Sequence, residues 1–278
     1  MENPSATRPY AEPALKNSRA AQIAEKSAMV STALAEGRMS LHFQPVFRAE
    51  DHQFIAFNES LLRLTMPNGD LRNAGQFVPQ LEHIDIGRRL DHFALKETLV
   101  EMQCNPTLRL SVNMSALSIA DSEWLAMLKH AARRTPDLCE RLIIEITETA
   151  AMSDPEKTVK FMRSVAELGS RFALDDFGSG ATCFRYLRDF RFDIIKIDGT
   201  FIRDLPHNPD NRILVESMVR ISKHFEMFTV AEFVETQAEA ECARLLGVDC
   251  LQGYHLGKPA SRPLTKVAPR GIGMRKTG

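Results

Sequence analysis

Acidic and amide side chains recur near the ends of short apolar runs along this chain. The clearest run, residues 171 to 180, reads RFALDDFGSG and ends in two adjacent carboxylates before a glycine-rich bend. Neighbouring aspartates repel each other and resist burial, so a buried strand that ends this way requires a cation, a proton or solvent. Six other runs end similarly. The polar residues at the seven ends are Glu59, Asn113, Glu145, Asp175 with Asp176, Lys196, Glu232 and Gln252.

These polar ends predict a metal site. With Glu235 the acids number six, and Lys196 opposes them, which leaves an excess of about five negative charges. At an effective dielectric of about 20, two like charges ~4 Å apart repel by about 4 kcal/mol. Oxygen ligands without a histidine or cysteine cluster suit Mg²⁺ or Mn²⁺ rather than zinc. Two such ions stabilise the attacking and leaving oxygens of phosphoryl chemistry, so we expect metal-dependent hydrolysis of a phosphate ester.

Strand periodicity separates two pairs of acids. Side chains two positions apart share one face of a strand, so Glu148, three positions after Glu145, is expected to face elsewhere and to hold a neighbouring loop. Asp175 and Asp176 cannot both point inward from a regular strand. We therefore expect Asp176 to lie where the chain leaves the strand, as Gly178 and Gly180 permit.

The elements that must position these residues read as an α/β fold. An alanine-rich helical stretch closes on Gly37, and helical segments such as residues 154–169 alternate with the apolar runs. Eight strands connected by helices favour a TIM-type (β/α)8 barrel over an open doubly wound sheet, with the polar ends on one face. The eight strand candidates are LHFQPVF, QFIAFNESLL, LRLSVNMS, RLIIEITET, RFALDDF, FDIIKIDG, MFTVAEFVE and VDCLQGYHL.

Length and composition fit one barrel-sized domain. The chain has 278 residues, of which 44% are hydrophobic, enough for a substantial core. We predict a disordered segment at residues 1–17, the folded domain at 18–260, and a basic, disordered tail at 261–278.

Charge and cysteine content exclude several classes of protein. The 35 basic and 36 acidic residues give a net charge of -1, so no overall field favours a DNA or RNA polymer or an anionic membrane. Five cysteines without a CxxC pair argue against a disulfide framework and a thiolate zinc site. There is no apolar signal core and no run of membrane-spanning length. These features predict a cytoplasmic protein without membrane insertion.

An ordered series of motifs resembles the EAL domain, a family of phosphodiesterases that hydrolyse the bacterial messenger cyclic di-GMP. The series covers roughly residues 20 to 260 and reads FQPVF, ESLLR, FVPQLE, SVNMS, EITET, DDFGSG, KID, AEFVE and QGYHLGKP. The resemblance implies a modified barrel with an antiparallel first strand, two Mg²⁺ or Mn²⁺ ions, and linear pGpG as the product. It also implies a homodimer formed through the loop after DDFG and a helix at residues 209–224.

The resemblance further implies roles for individual residues. Metal ligands would be Glu59, Asn113, Glu145, Asp175, Asp176 and Glu232, with Asp175 shared between two ions. The catalytic set would be Lys196, which holds the attacking water, Glu232 as ligand or general base, and Glu59. Substrate contacts or their supports would be Gln44, Leu61, Arg63, Glu235 and Gln252. Glu148 would anchor the loop that follows DDFG.

Three positions depart from the family pattern. Ser60 replaces an alanine, Phe233 replaces a glycine, and the loop reads GSGATCF, which includes Cys183. Phe233 leaves two outcomes open, crowding of Glu232 or packing behind the strand. Two functional alternatives also stay open: a catalytically silent cyclic di-GMP receptor that signals through a partner, and a magnesium-dependent barrel enzyme that forms enolates.

Overall fold

The barrel strands follow the predicted apolar runs. The structure is a computed structural model that describes residues 11–179 and 187–265, with side chains from residue 19 onward. This part of the chain contains nine strands in one sheet. They are β1 (Met39–Arg48), β2 (Ile55–Thr65), β3 (Leu71–Asn73), β4 (Leu110–Met114), β5 (Leu142–Thr147), β6 (Arg171–Phe177), β7 (Ile194–Ile197), β8 (Phe228–Ala231) and β9 (Cys250–Leu251).

The sheet closes into an eight-stranded barrel through β1. The strand order is β1-β9-β8-β7-β6-β5-β4-β2-β3, and an additional pairing of β1 with β2 completes the ring. β1 is antiparallel to both β2 and β9, whereas the other pairs within the ring are parallel. The predicted modified (β/α)8 barrel with an antiparallel first strand is therefore confirmed.

Helices surround the barrel. The described residues contain ten: α1 (Ala11–Ala35), α2 (Val78–Leu81), α3 (Asp85–Cys104), α4 (Ser122–Arg134), α5 (Pro136–Cys139), α6 (Glu148–Met152), α7 (Pro155–Ala166), α8 (Gly199–Ile202), α9 (Pro209–His224) and α10 (Gln237–Leu245). The expected cap of α7 is present, because the Asp154 side chain accepts a hydrogen bond from the Lys157 amide. None of the described helices has the length and apolar character needed to cross a membrane.

The barrel interior has an apolar lower layer and a polar upper layer. Side chains two positions apart point to the same face of a strand, so one residue of each pair packs below the other. The pairs are Phe57 and Glu59, Ile143 and Glu145, Ala173 and Asp175, Ile194 and Lys196, Val230 and Glu232, and Cys250 and Gln252. The lower members pack together as one cluster, with Val46 from β1. The polar side chains at the strand ends thus lie above an apolar cluster that fills the barrel interior.

A second apolar layer lies outside the barrel. The outward-facing strand residues Val112, Ile144 and Ile195 pack with helix residues such as Trp124 and Phe161. A separate cluster joins α1 to β1, β2, α2 and α3 through residues including Val30 and Leu64. Because both faces of the parallel strands are covered, the strand ends that carry polar residues are held rigidly.

The chain differs from the sequence-based expectations in three segments. β3 forms a hairpin with β2 across a turn that contains Gly69 at φ 88°, a strand absent from the predictions although Asn-Gly is a hairpin signal. α1 includes residues 11–17, where disorder is expected, because a proline in the first helical turn breaks no helical hydrogen bond. Asn58 exchanges two hydrogen bonds with the backbone of Leu264, which belongs to the predicted tail. Residues 1–10 and 266–278 lie outside the described residues.

Gly253 allows the segments after β8 and β9 to meet. The Val234 amide donates to the Gln252 carbonyl at 3.0 Å, and a Cβ at position 253 would lie 2.1 Å from the Val234 carbonyl oxygen. We expect Gly253→Ala to lower the free energy of unfolding by about 3 kcal/mol, because backbone atoms must move. Urea denaturation measures the change. Gly75→Ala is the control, since its Cβ would meet nothing within 4 Å; equal stability of both variants would contradict the prediction.

Candidate active site

A buried lysine lies among four carboxylates at the mouth of the barrel. Lys196 is 1% exposed, and its ammonium nitrogen lies between 2.6 and 3.4 Å from one oxygen of each acid. The four oxygens, in order of distance, are Glu145 Oε2, Asp175 Oδ1, Glu232 Oε1 and Glu59 Oε2. Strands β2, β5 and β6 supply three of these acids, the residue directly after β8 supplies Glu232, and β7 supplies the lysine. The convergence expected at the carboxyl ends of parallel strands is therefore observed.

Two amides complete the environment of Glu59. The Asn113 side chain donates to Glu59 Oε1 at 2.9 Å, and the Gln252 side chain donates to Glu59 Oε2 at 2.6 Å. Gln252 directly follows β9, which pairs with β1 in the barrel. It is therefore close to Glu59 in space although the two residues are 193 positions apart in sequence. Glu59 thus accepts hydrogen bonds on both oxygens in addition to its contact with Lys196.

Several buried acceptor atoms in this cluster lack a hydrogen-bond donor. Among the described residues no donor reaches Glu145 Oε1, Glu232 Oε2 or Gln252 Oε1, and the contact of Asp175 Oδ1 with Lys196 is an ion pair without hydrogen-bond geometry. Buried acceptors of this kind are normally satisfied, so a site that leaves several together fits a cation. The atoms available as metal ligands are all oxygens, which suits Mg²⁺ or Mn²⁺.

Asp175 and Asp176 both reach this cluster, and a β-bulge explains how. The register between β6 and β7 shifts between Leu174 and Phe177, and Asp176 adopts φ 54°, in the left-handed region. Oxygens of Asp175, Asp176 and Glu232 lie within 4.8 Å of one another, as ligands of one ion would. The expectation that Asp176 lies where the chain leaves the strand is wrong in detail, because β6 continues to Phe177.

Burial and charge shift the ionisation of the cluster in opposite directions. Burial, followed by the neighbouring Glu59, raises the pKa of Glu145 to about 8, and burial likewise raises the pKa of Glu232. Burial acts to raise the pKa of Glu59 too, but Lys196 and the two amides outweigh it and hold that pKa below its ordinary value. Burial lowers the pKa of Lys196, yet the four carboxylates outweigh it and keep the ammonium charged.

Asp176 has a milder environment at the edge of the cluster. Burial, and then the charge of Asp175, raise its pKa to about 6. Asp198 also acts on it electrostatically, although its own side chain caps α8 by accepting from the Thr200 amide. Asp198 belongs to the KID motif but is absent from the predicted site residues; the structure gives it a structural role as the N-cap of α8.

Three of the five predicted substrate contacts or their supports lie on β1 and β2; Gln252 follows β9 and Glu235 follows β8. Gln44 is opposite Glu59 in register and donates its side-chain amide to the Gly257 carbonyl at 3.1 Å. Leu61 and Arg63 share the face of Glu59 at the following alternate positions of β2, and Arg63 is buried. Glu235 is exposed, and its backbone amide donates to Glu239.

Glu148 leaves the strand direction, as the periodicity predicts. It is the first residue of α6, directly after the cap residue Thr147, and it is buried. Its predicted anchoring of the loop after DDFG stays a prediction, since Gly180 and the rest of that loop, including Cys183, lie outside the described residues.

Phe233 neither crowds Glu232 nor packs behind the strand. Its backbone adopts φ 53°, which is the left-handed region where the glycine of the family pattern is unstrained. The ring turns outward and remains 55% exposed, while Glu232 Oε1 keeps its 2.9 Å contact with Lys196.

Asp91 is a buried acid that the sequence predictions omit. It lies on α3, and its Oδ2 accepts hydrogen bonds from the Ser115 amide, the Ser115 hydroxyl and the Ser118 hydroxyl. Burial raises its pKa to about 6 against the lowering effect of these bonds. By joining α3 to the turn after β4, Asp91 fixes the strand end that carries Asn113. An aspartate on the apolar face of α3 was the available signal.

Comparison with known protein families identifies the class of protein to which this barrel, with acidic side chains at its mouth, belongs. The model of the EAL domain family matches residues 27–259, and the chain belongs to this family. The match includes all strands of the barrel and every residue of the predicted site.

Curated relatives with this domain are longer proteins. The chain is 31% identical over 243 residues to the bifunctional diguanylate cyclase/cyclic di-GMP phosphodiesterase MucR of Pseudomonas aeruginosa, a match that covers 85% of this chain and 35% of the relative. It is 31% identical over 234 residues to the probable cyclic di-GMP phosphodiesterase PdeA of Escherichia coli, covering 83% of this chain and 32% of the relative. The chain thus spans about a third of the length of these relatives.

A solved structure shares the architecture. The PaMucR phosphodiesterase, solved as a c-di-GMP complex, superposes with a TM-score of 0.77 at 29% identity, and the match covers 86% of this chain and 97% of that one.

The charge balance around Lys196 generates a prediction for the metal-free protein. We expect Lys196→Met to lose about 3–5 kcal/mol of stability in EDTA at pH 8, because it leaves buried carboxylates unpaired. Without the ammonium the pKa values of Glu145 and Glu232, which burial already raises, rise further above the unfolded value near 4.3. The folded state then binds more protons than the unfolded state between those values, so stability falls as pH rises.

Urea unfolding at pH 5.5 and pH 8 measures this slope. The variant should be more stable at pH 5.5 than at pH 8 by a wider margin than the native protein. The exposed Lys160→Met provides the control. Identical pH slopes for Lys196→Met and the native protein would contradict the assigned charge balance.

Proposed function

We propose that this protein hydrolyses one phosphodiester bond of cyclic di-GMP to give linear pGpG and so lowers the concentration of this messenger. One observation carries the proposal: acids of β2, β5 and β6 and the acid that follows β8 converge around Lys196, and several of the acceptor oxygens there have no hydrogen-bond partner within the described part of the chain. Membership of the EAL family and the names of its relatives support the choice of substrate.

The cluster fits two divalent cations held by a shared ligand. We assign Glu59, Asn113, Glu145 and Asp175 to one ion, and Asp175, Asp176 and Glu232 to the other. When bound, Mg²⁺ or Mn²⁺ ions supply positive charge that offsets the acids and stabilises charge on the scissile phosphate.

The side chains of the chain itself position the water and the substrate. Lys196, charged and held between acids, donates hydrogen bonds that orient the attacking water. Glu232 Oε2, which lacks a donor and belongs to a carboxyl of raised pKa, is placed to accept a proton from that water. Water adds to phosphorus as the bond to the 3′ oxygen breaks, and that oxygen takes up a proton from solvent to become the 3′ hydroxyl, which leaves a linear dinucleotide with a 5′ phosphate. On the β1–β2 side of the mouth, Gln44, Leu61 and Arg63 contact the remainder of the dinucleotide.

Two other functions make different predictions. A silent receptor would bind cyclic di-GMP without forming pGpG, and the complete set of acids around Lys196 favours the enzyme over this alternative. An enolate-forming barrel enzyme would need a base dedicated to a carbon acid, for which the cluster offers no separate candidate in the described part of the mouth. The cytoplasmic location and the exclusion of DNA or RNA polymers stay predictions of the sequence.

Product analysis tests the proposal. With cyclic di-GMP and saturating Mg²⁺ or Mn²⁺, we expect pGpG from the native protein and a loss of at least about a hundredfold in rate for Glu59→Ala, Asp176→Asn and Lys196→Ala, since each removes a ligand or a charge needed in the transition state. Chromatography with mass detection identifies the product. Asp137→Asn, an exposed aspartate on α5, is the matched control for Asp176→Asn. Binding without pGpG at high enzyme would favour the receptor.

We also propose that the protein forms a homodimer through α9. Ile213 and Leu214 of this helix are 64% and 44% exposed. Adjacent large apolar side chains that are exposed in this way can mark a surface for protein contacts. We expect Ile213→Glu to shift the protein from dimer to monomer in sedimentation experiments, because a charge would have to be buried in the interface. Leu245→Glu is the control, since Leu245 is equally exposed but lies on α10. A native protein that sediments as a monomer would exclude this dimer.

A further inference from the structure

Phe233 is an exposed aromatic side chain on a strained backbone. It is the second residue after β8, and its φ of 53° lies in the region that bulky residues avoid. Its ring is 55% exposed, so burial of the ring within the chain does not compensate for this strain. Strain held at one position of a rigid scaffold is a signal of function rather than of stability.

The ring of Phe233 has a fixed resting place. A Cβ built on Gly199 would lie 2.5 to 2.7 Å from three atoms of the Phe233 side chain, which are its three nearest neighbours. The ring therefore rests directly on the backbone of Gly199, at the beginning of α8. Phe233 nevertheless remains more than half exposed.

This supported ring lies beside the acidic cluster. Glu232, the preceding residue, contacts Lys196, and the following Val234 is buried and bonded to the Gln252 carbonyl. On the other side, Gly199 follows Asp198, whose charge acts on Asp176. The ring thus occupies the rim of the mouth between β7 and β8, away from the β1–β2 side that carries Gln44 and Arg63.

We propose that Phe233 is a stacking platform for one guanine base of the substrate. This inference rests on the proposed function, because a cyclic dinucleotide placed with one phosphate at the cluster must extend a purine beyond it. A rigidly supported aromatic face at the rim offers a purine a large apolar contact at little cost in conformational freedom. Phe233 would then contribute to the selection of purine over pyrimidine dinucleotides.

Equilibrium binding tests this role without turnover. In the Asp176→Asn background with Mg²⁺, we expect Phe233→Ala to raise the Kd for cyclic di-GMP about tenfold, the loss typical of removing one stacked aromatic. Alanine has a Cβ, as phenylalanine does, so the substitution removes the ring without adding the backbone freedom of glycine. Phe233→Trp should retain binding. Phe225→Ala is the matched control, because Phe225 is an exposed aromatic that precedes β8 at the opposite end of the barrel.

A second variant displaces the ring without removing it. Gly199→Ala should also weaken binding, since its Cβ occupies the place of the ring. In a Phe233→Gly background the same change should have no further effect, because glycine removes both the ring and the Cβ that the new methyl group would meet. Additive losses would overturn the proposal, as would an unchanged Kd in Phe233→Ala.

Two readouts separate stacking from a structural role and from the function itself. Phe233→Ala should leave the thermal midpoint and the Mn²⁺ titration within error of the background; a matching loss of Mn²⁺ affinity would show that Phe233 acts through Glu232 and would overturn the proposal. If the native protein hydrolyses cyclic di-GMP while Phe233→Ala binds it unchanged, the stacking role fails alone. If the native protein neither binds nor hydrolyses it, the proposed function fails and the stacking role fails with it.

Discussion

The contact of one ammonium with four carboxylates is the interaction on which the site depends. Each acid comes from a different strand, and Lys196 lies within 3.4 Å of all of them. Buried like charges at such distances would drive the strand ends apart or force protons onto the acids. The lysine removes part of that repulsion, while burial, followed by the charge of Glu59, still raises the pKa of Glu145. The remaining negative potential is the feature on which the proposed binding of divalent cations rests.

That arrangement is possible because Lys196 and the four acids around it each lie two positions after an apolar residue of the same run, which packs below in the barrel interior. Ile143, Ala173 and Val230 fill the interior below Glu145, Asp175 and Glu232 and exclude water from beneath the charges. A dry floor strengthens every electrostatic interaction above it and makes each unsatisfied oxygen costly. The closure through β1 matters equally, because it brings Gln252 to within 2.6 Å of Glu59 across 193 residues of sequence. The environment of the acids therefore depends both on the apolar interior below them and on the closure of the barrel through β1.

Strand periodicity predicts much of this site, since an acid at the end of an apolar run in a parallel barrel must face the mouth. Glu59, Glu145, Lys196 and Glu232 were accessible in that way. The inward turn of Asp176 was not, because it depends on a slip in pairing between β6 and β7 that no alternation pattern encodes. The antiparallel direction of β1 likewise leaves no trace in periodicity and followed only from the family resemblance. The outward position of Phe233 depends on a φ value that its residue type disfavours.

The distribution of backbone strain follows the same geometry. Ala120, Asp204 and Glu226 also have positive φ, but each lies next to a helix end, where left-handed residues are common. Asp176 and Phe233 instead lie at the ends of β6 and β8, the two strands that flank β7 and its lysine. Each conformation costs roughly 1–2 kcal/mol for a residue other than glycine. The strands can hold this strain because Lys196 ties both of them to β7 through Asp175 and Glu232. The positive φ of Asp176 directs its carboxylate toward the cluster, and the positive φ of Phe233 directs its ring outward to the rim of the mouth.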